Sequence, residues 1–223
     1  MRVKLLVSAV LKFILGLILV STLVFLPVMT LDYINGWIFI GILFVPMFVA
    51  GICMLVKNPD LLKRRITLRE RQKEQRLVVT LSGIMFIFGF ILSGICQRYG
   101  ILRVPLWVSI VFSAVFLFGY ILYGVVLCQN EYLSRNIEVF EGQKVIDKGL
   151  YRVVRHPMYL STVIMFLSIP VILGSLLPLV VVLFYPFIIA YRIKNEERLL
   201  ESELCGYTEF KKKVKFRMIP FIW

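Results

Sequence analysis

Four apolar runs, each about long enough to cross a bilayer, alternate along the chain with short charged links. They occupy residues 5–29, 36–56, 77–96 and 105–128. A segment of about 20 apolar residues spans the hydrocarbon core as a helix, because only a helix or a closed barrel satisfies its own backbone there. Lys12 breaks the core of the first run and no small-residue cleavage site follows, so this run reads as a membrane helix and not as a cleaved leader. Composition agrees: the 223 residues are 60% hydrophobic with a mean hydropathy of +0.88, whereas soluble domains are about half apolar. Gly83, Gly89 and Gly94 in the third run read as sites where a neighbouring helix approaches closely.

A fifth apolar run, residues 158–190, is 33 residues long. One straight helix of that length would measure roughly 50 Å, well beyond a hydrocarbon core of ~30 Å. Pro170, Gly174-Ser175 and Pro178 interrupt it near the middle. The expected solution is a helical hairpin with its tip at Gly174-Ser175 and both ends on one side. A strongly tilted or kinked single helix is the alternative. The fold class is therefore all-α: a polytopic membrane protein with about four transmembrane helices plus a C-terminal helical hairpin. There is no room for a second large domain.

The formal charge is +13, but its distribution does not point to nucleic acid. Residues 1–4, 57–76, 129–157 and 191–223 hold 23 of the 26 lysines and arginines. With the N-terminus inside, four spans and a hairpin place all these segments on the cytoplasmic face, together with the C-terminus, as the positive-inside rule expects. The 57–76 segment, with eight basic and three acidic residues, reads as a topology-fixing loop that touches anionic lipid head groups. The tail with Lys211-Lys212-Lys213, Lys215 and Arg217 reads as a surface segment against the same head groups. Cys53, Cys96, Cys128 and Cys205 are too scattered for a metal site or a redox pair, and a single histidine rules out a multi-histidine metal centre.

Two polar clusters interrupt the apolar pattern. One is Gly149-Leu-Tyr-Arg-Val-Val-Arg-His-Pro-Met-Tyr159, which carries the only histidine, His156. The other is Tyr191-Arg-Ile-Lys-Asn-Glu-Glu-Arg198. A hairpin brings the two to one membrane face. Taken singly, each residue has a plain explanation. Arg192 and Glu196, four apart on a helix, could form a local ion pair. Pro157 suits a first helical turn. His156 could bond a carbonyl, and Tyr151 and Tyr159 could be interfacial anchors. The conjunction of ionisable groups at a membrane face points to function. The chain has no G-x-G-x-x-G, phosphate loop or G-x-S-x-G, which excludes a Rossmann domain and leaves a serine nucleophile unsupported.

The G-L-Y-R-V-V-R-H-P-M-Y element, the hairpin, then Arg192-x-x-x-Glu196-Glu197-x-x-Leu200, Gly206-x-x-x-Phe210 and Pro220 together resemble the isoprenylcysteine carboxyl methyltransferase family. Phospholipid N-methyltransferases and membrane sterol reductases carry elements similar to R-H-P-x-Y. The resemblance covers about residues 135–220. It implies methyl transfer from S-adenosylmethionine, with S-adenosylhomocysteine as product, in a cofactor pocket facing the cytoplasm. It implies that Tyr151, His156, Pro157, Met158 and Tyr159 line that pocket, with backbone contacts from Lys144, Val145 and Ile146. It implies that Glu196 holds the cofactor's ammonium and that Arg192 is the catalytic residue facing the substrate carboxylate. Residues 1–128 would then be scaffold, and 129–223 the cofactor-binding catalytic region with hairpin and basic tail. The acceptor stays open among a prenylated thiol acid, an isoprenoid acid and a lipid amine reached from the bilayer. Phospholipid (ethanolamine) N-methylation and a non-catalytic lipid-binding or partner-docking role are the alternatives.

Overall fold

The structure, a computed structural model, describes residues 2–66, 73–134 and 138–223. Among these, nine α-helices follow in order: α1 (Arg2–Phe25), α2 (Ile34–Lys57), α3 (Pro59–Ile66), α4 (Lys73–Tyr99), α5 (Leu106–Gln129), α6 (Pro157–Ile172), α7 (Leu179–Val182), α8 (Tyr185–Glu203) and α9 (Tyr207–Lys213). Five stretches are long and apolar enough to cross a membrane: 4–25, 34–57, 75–99, 106–129 and 177–203. The first four are the runs expected from sequence. The fifth is the returning arm of the hairpin, with α7 and α8 nearly continuous.

The hairpin forms as expected. Its tip, at Gly174-Ser175, is tied to the link between α4 and α5. Val104 N donates to Gly174 O at 3.0 Å, Leu176 N to Leu102 O at 3.1 Å, and Ser175 Oγ to Ile101 O at 3.0 Å. The rising arm, α6, has only 16 residues, yet the tip reaches the same end of the bundle as the ends of α4 and α5. Both hairpin ends therefore lie at the opposite end, beside α3 and the segment after α5.

The C-terminal carbonyls of α6 would be orphaned in an apolar setting. Neighbouring helices supply the donors. The Tyr33 hydroxyl donates to Leu173 O, Asn35 Nδ2 to Ile172 O at 2.8 Å, and Ser109 Oγ to Val171 O at 2.9 Å. Tyr33, Asn35 and Ser109 are all buried, so these residues act as a tertiary cap.

The bundle core is aromatic and aliphatic. Phe39 and Phe116, both fully buried, pack edge-on with centroids 6.1 Å apart, and Phe90 closes on Phe39 at 5.7 Å. The most extensive helix contact is between α5 and α6. It is close because Gly119 has no side chain: a Cβ there would stand 2.8 Å from Met165 Cγ and 3.1 Å from Ser161 O. In α4, Gly94 meets Pro27 and Gly89 meets Val182, whereas Gly83 faces open space, so the packing expectation holds at two of these three glycines. Leu15, Leu19, Phe118 and Phe184 point outward and are mostly exposed, as lipid-facing side chains are.

Candidate functional site

The site lies at the end of the bundle away from the hairpin tip. Its first wall is the segment after α5. Gly149 adopts φ +57°, and a Cβ there would fall within 2.6 Å of the Gln129 amide. Only glycine fits this position. Gln129 Oε1 accepts from Leu150 N at 3.0 Å and so fixes the 3-10 turn Gly149–Arg152. That turn presents Tyr151, whose hydroxyl accepts from Asn130 Nδ2 at 3.0 Å. Burial raises the Tyr151 phenol well above its usual range, so it stays protonated.

His156 caps α6, with Pro157 in its first turn. The loop holding it is pinned from three directions. Arg155 N donates to Phe216 O at 3.0 Å and His156 N to Arg217 O at 2.8 Å. The Arg155 guanidinium reaches Glu197 Oε1 (2.7 Å), Val214 O (2.6 Å) and Lys215 O (2.9 Å). Glu197 is the hub. It also takes Arg217 Nε on Oε2 at 2.9 Å and lies 3.3 Å from His156 Nε2. Arg155, His156 and Glu197 are each less than one-tenth exposed. With Nε2 turned to Glu197, the imidazole directs Nδ1 toward Glu196, 3.9 Å away.

Arg192 and Glu196 share a face of α8, but the Tyr159 hydroxyl stands between them. It accepts from Arg192 Nε at 2.8 Å and donates to Glu196 Oε2 at 2.5 Å. The local ion pair expected from spacing is thus a three-membered line, cation–phenol–carboxylate, that joins α6 to α8.

These groups border a cleft that encloses about 830 Å³, counting the part open to solvent. Lys144, Val145, Ile146, Tyr151, His156, Met158, Tyr159, Arg192 and Glu196 all line it. Pro157 is buried behind it as the start of α6. Leu200, Leu204, Tyr207 and Phe210 form the far wall.

That far wall corrects one expectation. The basic tail is not simply a segment on the surface. Leu204, Tyr207, Phe210 and Val214 are buried against Val126 and Tyr151, and the backbone at 214–217 carries the acceptors for Arg155 and His156. The signal was present as an apolar face, Leu200, Leu204 and Tyr207, at helical spacing beneath a conspicuous run of lysines. A second correction concerns the basic segment after α2. Arg64 Nη1 donates to Glu131 O at 2.9 Å and its guanidinium lies 4.3 Å above the Phe140 ring. Arg65 Nη1 donates to Ser134 O at 3.3 Å and approaches Met158 Sδ at 3.7 Å. Part of this segment therefore braces the first wall of the cleft. Residues 67–72, with Arg69 and Arg71, lie outside the described residues, as do Arg135 and Asn136.

Residues 109–202 match the isoprenylcysteine carboxyl methyltransferase (ICMT) family. This part of the chain, less than half of its length, is similar to that family. The family region runs from α5 through nearly all of α8. It contains Tyr151, His156, Tyr159, Arg192 and Glu196, and it ends before the far wall at Leu204–Phe210. A curated relative is the Delta(14)-sterol reductase TM7SF2 of Mus musculus, 33% identical over 85 residues. The match takes in 37% of this chain and 20% of the reductase, so the shared stretch is about a fifth of that protein. Both similarities fit a multi-pass membrane protein, which the five apolar helices also support.

Proposed function

We propose that the protein is an integral-membrane, S-adenosylmethionine-dependent methyltransferase that O-methylates the carboxylate of an isoprenylcysteine-like or other lipid-like acid. The observation that carries this reading is the Arg192–Tyr159–Glu196 line at the border of a polar cleft and an apolar bundle.

The donor set fits the cofactor. A zwitterionic sulfonium needs an anion, hydrogen-bond donors and aromatic faces. Glu196 supplies the anion, Tyr151 and Tyr159 the phenols, and Val145, Ile146, Met158, Leu200 and Phe210 an apolar wall for a planar base. When bound, the cofactor supplies an electrophilic methyl group. The acceptor carboxylate is ionised at neutral pH, so the chain need not provide a general base. Arg192 orients it with a rigid, permanently charged fork. Tyr159 holds Arg192 and Glu196 at a fixed separation, which sets nucleophile and donor in line, and catalysis rests on that positioning.

Tyr159, Val163, Tyr185, Ile189 and Ile193 form one buried apolar cluster, so the polar line borders apolar core, a setting that suits a lipid-like acceptor. The exposed Lys212, Lys213 and Lys215 on the outer side of the tail face anionic head groups, with both termini cytoplasmic.

The test uses purified protein in lipid with methyl-labelled cofactor and either a prenyl thioether acid or phosphatidylethanolamine. Label released as methanol by mild base marks a carboxyl ester and supports the reading. Base-stable label on the amine would favour phospholipid N-methylation. The sterol-reductase similarity favours a second reading, a nicotinamide-dependent reductase. Saturable NADPH binding without S-adenosylhomocysteine binding would establish that one instead.

A further inference from the structure

Tyr207 opens α9, directly after Gly206, and lines the far wall of the cleft outside the family-matching region. The residue is 3% exposed. Its hydroxyl is sealed from water and has no hydrogen-bond partner among the described residues. A buried hydroxyl left unsatisfied costs about 1–3 kcal/mol, so most buried polar atoms have partners. The hydroxyl also stays protonated. Burial first, then the nearby charges of Glu197 and Glu196, push the phenol far above its usual range, against the opposing pull of Arg155. Tyr207 is therefore a neutral O–H donor on a residue that lines the cleft, and no described protein group uses it.

If Glu196 takes the ammonium of the methyl donor, the carboxylate on the same carbon lies close by and needs donors. Three neighbouring donors are engaged. Arg155 is held by Glu197 and two backbone carbonyls, His156 Nε2 faces Glu197, and the Tyr159 proton goes to Glu196. We infer that Tyr207 is a further cofactor-binding residue whose hydroxyl donates a hydrogen bond to the carboxylate of the methyl donor's amino-acid head. The assignment rests on the methyltransferase reading and extends the site beyond the family region, into the C-terminal tail.

The experiment is Tyr207→Phe in the full chain, with three readouts. The first is the affinity for S-adenosylhomocysteine by calorimetry. The second is the affinity for 5′-methylthioadenosine, which keeps the nucleoside and lacks the amino-acid head. The third is the melting temperature without ligand. The expected result is about tenfold weaker binding of S-adenosylhomocysteine, unchanged binding of 5′-methylthioadenosine, and a ligand-free melting temperature equal to or above wild type. Unchanged affinity for S-adenosylhomocysteine overturns the inference. So does an equal loss for both ligands, which would place the hydroxyl at the nucleoside, and so does a lower melting temperature with affinity intact, which would make the hydroxyl structural. If wild type binds no S-adenosylhomocysteine, the methyltransferase reading fails and the inference falls with it.

Discussion

Replacing Glu197 by glutamine removes one negative charge from a site holding two arginines and a histidine. Arg155 is 4% exposed at its side chain and Glu197 3%, with 2.7 Å between them. Removing one partner of such a buried pair typically costs about 3–5 kcal/mol, because the other charge stays buried and uncompensated. Arg217 is 30% exposed and contributes little beyond this, since water screens it. Glutamine keeps one acceptor oxygen for Arg155, so the expected loss sits at the lower end, about 3 kcal/mol. For a chain of this size, at about 2–4 °C per kcal/mol, the melting temperature in detergent falls by about 6–12 °C. Thermal unfolding followed by intrinsic tryptophan fluorescence measures it. The control is the neighbouring residue. Glu196→Gln changes a side chain at the cleft border, so its ligand-free melting temperature moves by only about 2 °C, while its affinity for S-adenosylhomocysteine falls. A Glu197→Gln variant as stable as wild type would refute the claim that Glu197 is the structural hub.

Three further outcomes follow from the geometry. Gly119→Leu places atoms where a Cβ alone would already stand 2.8 Å from Met165 Cγ, so it separates α5 from α6 and costs about 3 kcal/mol or more in thermal stability. Asn35→Ala removes two donations of 2.8 Å each, to Ile172 O and Ser109 Oγ; it should lower stability by about 1–2 kcal/mol and leave S-adenosylhomocysteine affinity unchanged, because it acts at the far end of the bundle. Arg192→Lys loses the planar fork that holds Tyr159 and that, in the proposed reaction, orients the acceptor. Methyl transfer should fall about 100-fold, while cofactor affinity changes far less.

The membrane helices were legible because the bilayer dictates their length and their neighbours' charge. The hairpin was legible for the same reason. A 33-residue apolar run with Pro170, Gly174-Ser175 and Pro178 in its middle cannot cross as one straight helix, and the structure turns at those residues. Much of the cleft lining was also legible, since His156, Tyr159, Arg192 and Glu196 are polar where apolar residues are the rule. Three things were not. The Tyr159 bridge depends on the rotation of α6 against α8, which spacing within one helix does not encode. Glu197 looks like Glu196 in sequence, and only the fold shows that one faces Arg155 and Arg217 and the other the cleft. The far wall was masked by its own lysines: Lys211-Lys212-Lys213 suggested a surface segment, while Tyr207, Phe210 and Val214, on the inner side of the same helix and just after it, are buried.

The most direct test of the account is calorimetric binding of S-adenosylhomocysteine to the purified protein, with His156→Ala and Glu196→Ala alongside and each variant checked for folding. The account predicts saturable binding to wild type that is lost or severely weakened in both variants. A well-folded wild type that binds no S-adenosylhomocysteine, in lipid as well as in detergent, would contradict it.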